Sequence, residues 1–420
     1  MRLGRHGRFL ATMTVRGAGA VAQMAFVFLL TRSVDATLAS GILLALSLIG
    51  FASVISRQGL DGPFARRAAQ ASAGSGQGRS LDAYARYVAA ILFVGMLSSI
   101  VLFALGRFEP RFAVAGLLGA AVPALAVTRF TAEAMKGLGR GPLSQILETL
   151  ALPASMVVAL LSGLASEGRF VAVYVGAAWG LALLAFLLFL HVAPRPRETA
   201  EARVPLDLRS ESNPLWLSST SRFAIQWTGV FALGIWGTPE EISGFAISTR
   251  IALTSAILLG SASAIASRRF ALWSEAADYA RAVAALRRIG FGLAIAGLCL
   301  LGPIAFAPAR VLGLFDPALA GQGAVLTILI FGQLVNLGAG PVGQLLVMTG
   351  DARRVRDITV TTALVNLVAC LLLAPGFGAM GVAASTAAAV AFENLLGYVQ
   401  VRRRLRVSCR LAACPVPSRA

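Results

Sequence analysis

The sequence predicts an all-α polytopic membrane protein, with about twelve transmembrane helices in two six-helix lobes. Three observations carry the prediction. Hydrophobic residues make up 57% of the 420 and charged residues only 13%, with a mean hydropathy of +0.77, where soluble domains are about a quarter charged. Apolar runs of roughly 20 residues, the length that spans a bilayer, recur along the whole chain. The basic residues, finally, collect in alternate connectors.

The predicted spans run in order, each bounded by a charged or Pro/Gly-containing connector. The first two, at about 12–31 and 38–57, are separated by Arg32. The third and fourth, at about 87–106 and 112–132, are separated by Arg107 and Arg111. Lys136 and Arg140 precede the fifth, at about 142–164, and Arg169 precedes the sixth, at about 170–192. The seventh and eighth lie at about 215–236 and 242–264, ahead of Arg268 and Arg269. Arg310 separates the ninth and tenth, at about 288–307 and 321–347. Arg353, Arg354 and Arg356 open the pair at about 358–375 and 379–400.

The formal net charge of +18 is a topology signal rather than a nucleic-acid footprint. Most of the basic residues fall on the set of connectors that includes both termini. The opposite set holds only Arg32, Arg107, Arg111, Arg169 and Arg310. The positive-inside rule then places both termini in the cytoplasm, where anionic lipid attracts the arginines. The basic start, MRLGRHGRFLATMTVRG, reads as an uncleaved first span. The expected lobes are residues 1–195 and 215–401. A cytoplasmic linker covers 196–214 and a basic cytoplasmic tail 402–420. QASAGSGQGRSLD, residues 70–82, reads as a flexible loop.

An internal repeat supports the two lobes. Setting Gln23 on Gln226 also sets Val27 on Val230, Phe28 on Phe231, Leu30 on Leu233, Ser40 on Ser243 and Gly41 on Gly244. Span 1 falls on span 7 and span 2 on span 8. An even number of spans per half keeps both halves in one orientation. The expected relation is a pseudo-two-fold along the membrane normal around a central cavity.

Ionisable side chains inside spans are the candidate site. They are Glu148 in the fifth, Arg222 in the seventh, Arg250 in the eighth and Glu393 in the twelfth. A charge at the bilayer centre costs roughly 2.5–3.5 kcal/mol or more, so it is expected to face a cavity or a partner. Ser218, Arg222 and Gln226, spaced i, i+4, i+8, share one helix face, and Gln23 repeats the pattern in the first span. Two guanidinium forks suit a phosphate-bearing anion. The competing role for Arg222 and Arg250 is to neutralise Glu148 and Glu393. Glu148 and Glu393 are otherwise candidates for tuning the arginines or for carrying a coupling ion, H+ or Na+.

No GxxxxGK[ST], HExxH, nucleophile elbow or CxxC pair is present, so ATP-driven, metal-dependent and thiol chemistries have no motif here. Cys409 and Cys414 have no nearby histidine, which argues against a metal site. A transporter needing no catalytic residue, cofactor or metal is expected.

Two stretches carry a family resemblance. FLLTRSVDATLASGILLALSLIGFASVISRQGLDGPFARRAA, with Arg32, Gly41, Gly59, Arg66 and Arg67, resembles the opening of the polysaccharide-transport branch of the multidrug/oligosaccharidyl-lipid/polysaccharide flippase superfamily. GDARRVRDITVTTALVNLVACLLLAPGFGAMGVAASTAA resembles that branch's link from the tenth span into the twelfth, with Gly350, Asn366, Pro375, Gly378, Gly381, Ala384 and Thr386 at matching positions. The resemblance implies an O-antigen-like flippase of undecaprenyl-pyrophosphate-linked oligosaccharide in the bacterial inner membrane. Cationic cavity residues are expected on spans 1, 2, 7 and 8, and Arg222 and Arg250 occupy two of these. The implied partners are the lipid-linked oligosaccharide, membrane lipids and other polysaccharide-assembly proteins, with no nucleic acid. The alternatives are a cation-coupled multidrug exporter of the same superfamily and, in another class, a membrane-embedded glycan polymerase or ligase.

Overall fold

The structure, a computed structural model, describes residues 5–72, 80–166, 168–192, 209–275 and 278–413. All regular structure among them is helical. In chain order the helices are α1 (Arg5–Ser33), α2 (Ala36–Ser56), α3 (Asp61–Ser72), α4 (Ser80–Phe108), α5 (Ala113–Leu118), α6 (Val122–Gly137), α7 (Gly141–Gln145), α8 (Ala151–Leu161) and α9 (Phe170–Val192). They continue as α10 (Arg209–Trp236), α11 (Pro239–Leu253), α12 (Ala256–Glu275), α13 (Tyr279–Phe306), α14 (Pro308–Phe315), α15 (Gly323–Ala339), α16 (Val342–Met348) and α17 (Ala352–Ala413).

Among the described residues, 10 helical stretches are long and apolar enough to cross a membrane. The protein is a multi-pass membrane protein. One stretch, Ala352–Arg403, has 52 residues, and at 1.5 Å per residue that is more than two bilayer crossings. Gly378 divides it, with φ 53° and ψ −140°. This is a backbone region that a side chain strongly disfavours. The expected eleventh and twelfth spans are the two sides of this break. The expected seventh span is α10, which is 28 residues long but is not among the ten apolar stretches. The polar Ser218–Arg222–Gln226 face lowers its hydropathy.

The chain divides into two compact units. The first comprises Met1–Phe223, Thr238–Ala246 and Leu314–Ala318; the second comprises Ala224–Gly237, Ile247–Gly313 and Leu319–Ala420.

In the first unit an aromatic core fixes one end of the helices. Phe64 of α3, Tyr84 of α4, Phe130 of α6 and Phe189 of α9 are each at most 2% exposed. The Tyr84 and Phe189 rings stack at 3.9 Å, and the Tyr84 hydroxyl lies 2.7 Å from Thr131 Oγ1. Residues 59–70, read from sequence only as part of a connector, therefore carry a helix. Phe64 anchors α3 in this core, and Gly137 lets it close on α6: a Cβ there would lie 2.1 Å from Ala65 O. Of the expected flexible loop, only 73–79 lie outside the described residues; its ends belong to α3 and α4.

Leu314–Ala318 also belongs to the first unit. The Thr31 hydroxyl donates to Phe315 O at 3.1 Å, and Arg32 Nε donates to Leu314 O at 3.0 Å. Arg32 also lies 4.7 Å over the Phe28 ring.

In the second unit, Phe270, Leu286, Val342, Leu345 and Leu346 form a core at one end of α12, α13 and α16. α13 and α15 approach closely at Gly290, where a Cβ would meet Gly338 O at 2.4 Å. Small residues permit such backbone approach between membrane helices. Of the expected linker, residues up to 208 lie outside the described residues and Arg209 onward begins α10. The expected tail continues α17 as far as Ala413, and 414–420 lie outside the described residues.

Candidate functional site

Arg250 lies in the last turn of α11 and is 9% exposed. Its guanidinium carbon sits 4.9 Å from the centre of the Trp227 ring on α10. The negative face of an indole attracts a cation, and desolvation strengthens that attraction to ~2 kcal/mol. The preceding Ser248 and Thr249 hydroxyl oxygens are buried without a hydrogen-bond partner among the described residues. Three consecutive polar side chains are thus buried within a stretch apolar enough to span a membrane. A guanidinium in such a place has the chemistry to bind an oxygen-rich anion.

The other sequence-predicted residues are placed less uniformly. Arg222 on α10 is exposed, whereas Ser218 and Gln226 on the same helix and Gln23 on α1 are half-buried. The fold brings Arg250 to Trp227, one position beyond Gln226. Trp227 is a neighbour that spacing within a single helix did not identify.

Glu148 stands in a π-helical turn, Ile146–Leu150. Its Oε2 lies 2.8 Å from Lys136 Nζ and accepts a hydrogen bond from Gln145 Nε2 at 3.1 Å. Glu148 thus takes its countercharge from Lys136, the sole lysine, inside the first unit. Glu393 accepts a hydrogen bond from the Thr359 hydroxyl at 3.0 Å in the second.

Around Glu148 the first unit gathers charges that sequence reasoning did not connect. Lys136 also pairs with Glu133 at 2.6 Å, and Arg57 pairs with Asp61. Spacing held a signal here: Glu133 and Lys136 are i,i+3, and Arg57 and Asp61 are i,i+4. Asp61 Oδ1 is enclosed without a hydrogen-bond partner. Burial pushes the Asp61 carboxyl up to about 6, with Glu133 and Glu148 adding to the rise and Arg57 and Lys136 opposing it. The group therefore changes charge near neutral pH.

A second polar cluster holds α10 and the two halves of α17 together. Asn366 Nδ2 donates to Ile225 O at 3.1 Å, and the Ser385 hydroxyl donates to Asn366 Oδ1 at 2.9 Å. Asn366, a polar residue inside a span as well as a position of the family resemblance, makes interhelical hydrogen bonds here. No group of three metal-ligating side chains occurs among the described residues.

No family model matches the chain, and no curated protein matches it in sequence. Solved structures do. The lipid II flippase MurJ in an inward closed conformation superposes with a TM-score of 0.70 at 9% identity, covering 97% of this chain and 93% of that one. An inward-facing multidrug resistance MATE family transporter of the MOP superfamily gives the same TM-score, 0.70, at 14% identity, with 96% and 99% covered. The chain has the fold of these transporters. A eukaryotic MATE transporter is similar over 96% of each chain, with TM-score 0.64 and 13% identity. The all-α, two-lobe fold expected from the sequence is therefore the one observed.

Proposed function

We propose that the protein is a flippase, translocating polyprenyl-pyrophosphate-linked oligosaccharide across the bacterial inner membrane by alternating access, with both termini in the cytoplasm. The observation that carries this reading is Arg250, an arginine kept 9% exposed within a membrane-spanning helix and laid on Trp227. Charged side chains inside membrane spans are costly and commonly mark a substrate path. A guanidinium matches phosphate oxygens in a planar, bidentate geometry. In this reading Arg250 and Arg222 receive the pyrophosphate. Ser218, Gln226 and Gln23 hydrogen-bond the sugar, and the polyprenyl tail stays in lipid. Lipid-linked substrate, bilayer lipids and other polysaccharide-assembly proteins are the partners. The likeness to a lipid II flippase over nearly the whole chain supports a transporter of this kind.

In a strain that depends on this protein for surface glycan, Arg250→Ala and Arg222→Ala are each expected to lower export at least tenfold with protein levels unchanged. Full export by both variants overturns the reading.

The charge cluster of the first unit favours a second reading, a cation-coupled multidrug exporter. Its carboxylates Asp61, Glu133 and Glu148 would carry the coupling ion, and the MATE likeness equals the MurJ likeness in TM-score. Glu148→Gln abolishing drug resistance, with glycan export untouched, would select it over the flippase.

A further inference from the structure

A cavity of about 720 Å³ opens within the second unit between α12 and α13. Its size falls within the roughly 300–1,000 Å³ typical of sites for small organic ligands. Ala262, Ala266, Phe270, Ala284, Ala285 and Ile289 supply an apolar wall, and Trp273 joins them. Phe270 is fully buried in the core beneath. Three arginines, Arg269, Arg281 and Arg288, complete the lining, and no carboxylate is among the described lining residues. The arginine distribution assigns this end of α12 and α13 to the cytoplasmic side.

An apolar trough edged by cations at a membrane surface matches a lipid, with chains in the trough and an anionic headgroup on the arginines. Basic pockets between membrane helices on the cytoplasmic side take phosphate headgroups in this way. The charge balance narrows the choice. Arg281 is partly compensated by Asp278, 3.8 Å away, which leaves about two positive charges, enough for two phosphates. Arg281 and Arg288 lie seven positions apart on α13, so they share a face and stand roughly 10 Å apart along the axis. Two phosphates joined through glycerol sit farther apart than the two of a pyrophosphate, which share one bridging oxygen, and so match this spacing better.

The geometry points to a binding site for a diphosphatidylglycerol lipid, cardiolipin, in the trough between α12 and α13, with its phosphates on Arg269, Arg281 and Arg288. The site is separate from Arg250 and does not depend on which substrate is transported. Its consequence is mechanical. A lipid clamped to α12 and α13 ties the second unit to the cytoplasmic leaflet.

The test uses the full chain, purified in detergent and titrated with cardiolipin, phosphatidylglycerol or undecaprenyl diphosphate. Bound lipid is read by native mass spectrometry. Cardiolipin is expected to bind most tightly. Arg269→Gln/Arg288→Gln is expected to weaken it about thirtyfold, since each arginine near an anionic lipid contributes about a factor of five. Arg269→Lys/Arg288→Lys keeps the charge and is expected to retain most of the affinity, which separates loss of the site from loss of the fold. Equal cardiolipin affinity in wild type and the Gln variant overturns the proposal. So does tighter binding of phosphatidylglycerol or undecaprenyl diphosphate than of cardiolipin.

Discussion

In the first unit Lys136 lies 2.6 Å from Glu133 and 2.8 Å from Glu148, while in the second Arg250 lies 4.9 Å above the Trp227 ring. Both arrangements keep cations among membrane helices, but by different contacts. The first sets opposite charges against each other, with Arg57 on Asp61 beside them, and what remains is a carboxyl that titrates. The second lays its cation over the face of an aromatic ring. The comparison teaches that opposite charges meet in the first unit, whereas in the second a cation meets a π-face. In the proposed reading Arg250 is the group that draws a diphosphate, and Asp61 is the group that takes up a proton.

Substitutions can break this contrast. The largest effect is expected from Lys136→Met, which strands two carboxylates whose side chains are about 30% exposed, Glu133 at 28% and Glu148 at 31%. Leaving part-buried charges uncompensated is expected to cost about 1–3 kcal/mol, below the 3–5 kcal/mol of a fully buried pair. Thermal unfolding of the purified protein measures it, and adding Glu148→Gln should recover part of the loss. An unchanged melting temperature in Lys136→Met would mean that the ion pairs do not hold this unit together.

A smaller effect is expected at Asp61. Its folded pKa of about 6 stands above the ordinary 3.8, so between these values the folded state binds more protons than the unfolded state. Stability then falls as pH rises from about 4 to about 6, by about 1–3 kcal/mol. Asp61→Asn should remove that part of the slope. Melting temperatures of the two proteins across this pH window give the difference directly, and parallel curves would refute the assignment.

The smallest effect belongs to the second unit's neutral cluster. Asn366→Ala removes the bonds to Ile225 O and from Ser385. Polar contacts between membrane helices average about 0.6 kcal/mol, with a maximum of about 1.7 kcal/mol. A loss near 1 kcal/mol in unfolding free energy is expected, with lipid-linked glycan export largely retained. A collapse of export with normal stability would instead make Asn366 part of the transport path.

Much of this was legible one helix at a time. The spans, their number, the break near Pro375 and Gly378, and the oddity of Arg222, Arg250, Glu148 and Glu393 follow from apolar run length and from the rarity of charge in lipid. Helix α3 was missed because its drive to fold is tertiary. Phe64 finds its aromatic partners Tyr84 and Tyr87 on α4, Phe130 on α6 and Phe189 on α9, and a window over residues 59–70 contains none of them.

The partners of the buried charges were hidden for the same reason. Periodicity reports which residues share a face, not what that face meets. By itself the sequence determined that this chain lives in a bilayer as two sets of helices, because backbone groups in lipid must bond within their own helix and apolar length shows directly in the residue order. Only the tertiary structure decided that Glu148 answers to Lys136, that Arg250 rests on Trp227, and that Arg269, Arg281 and Arg288 edge one trough. Those pairings join residues from separate helices, and packing alone sets the distances between them.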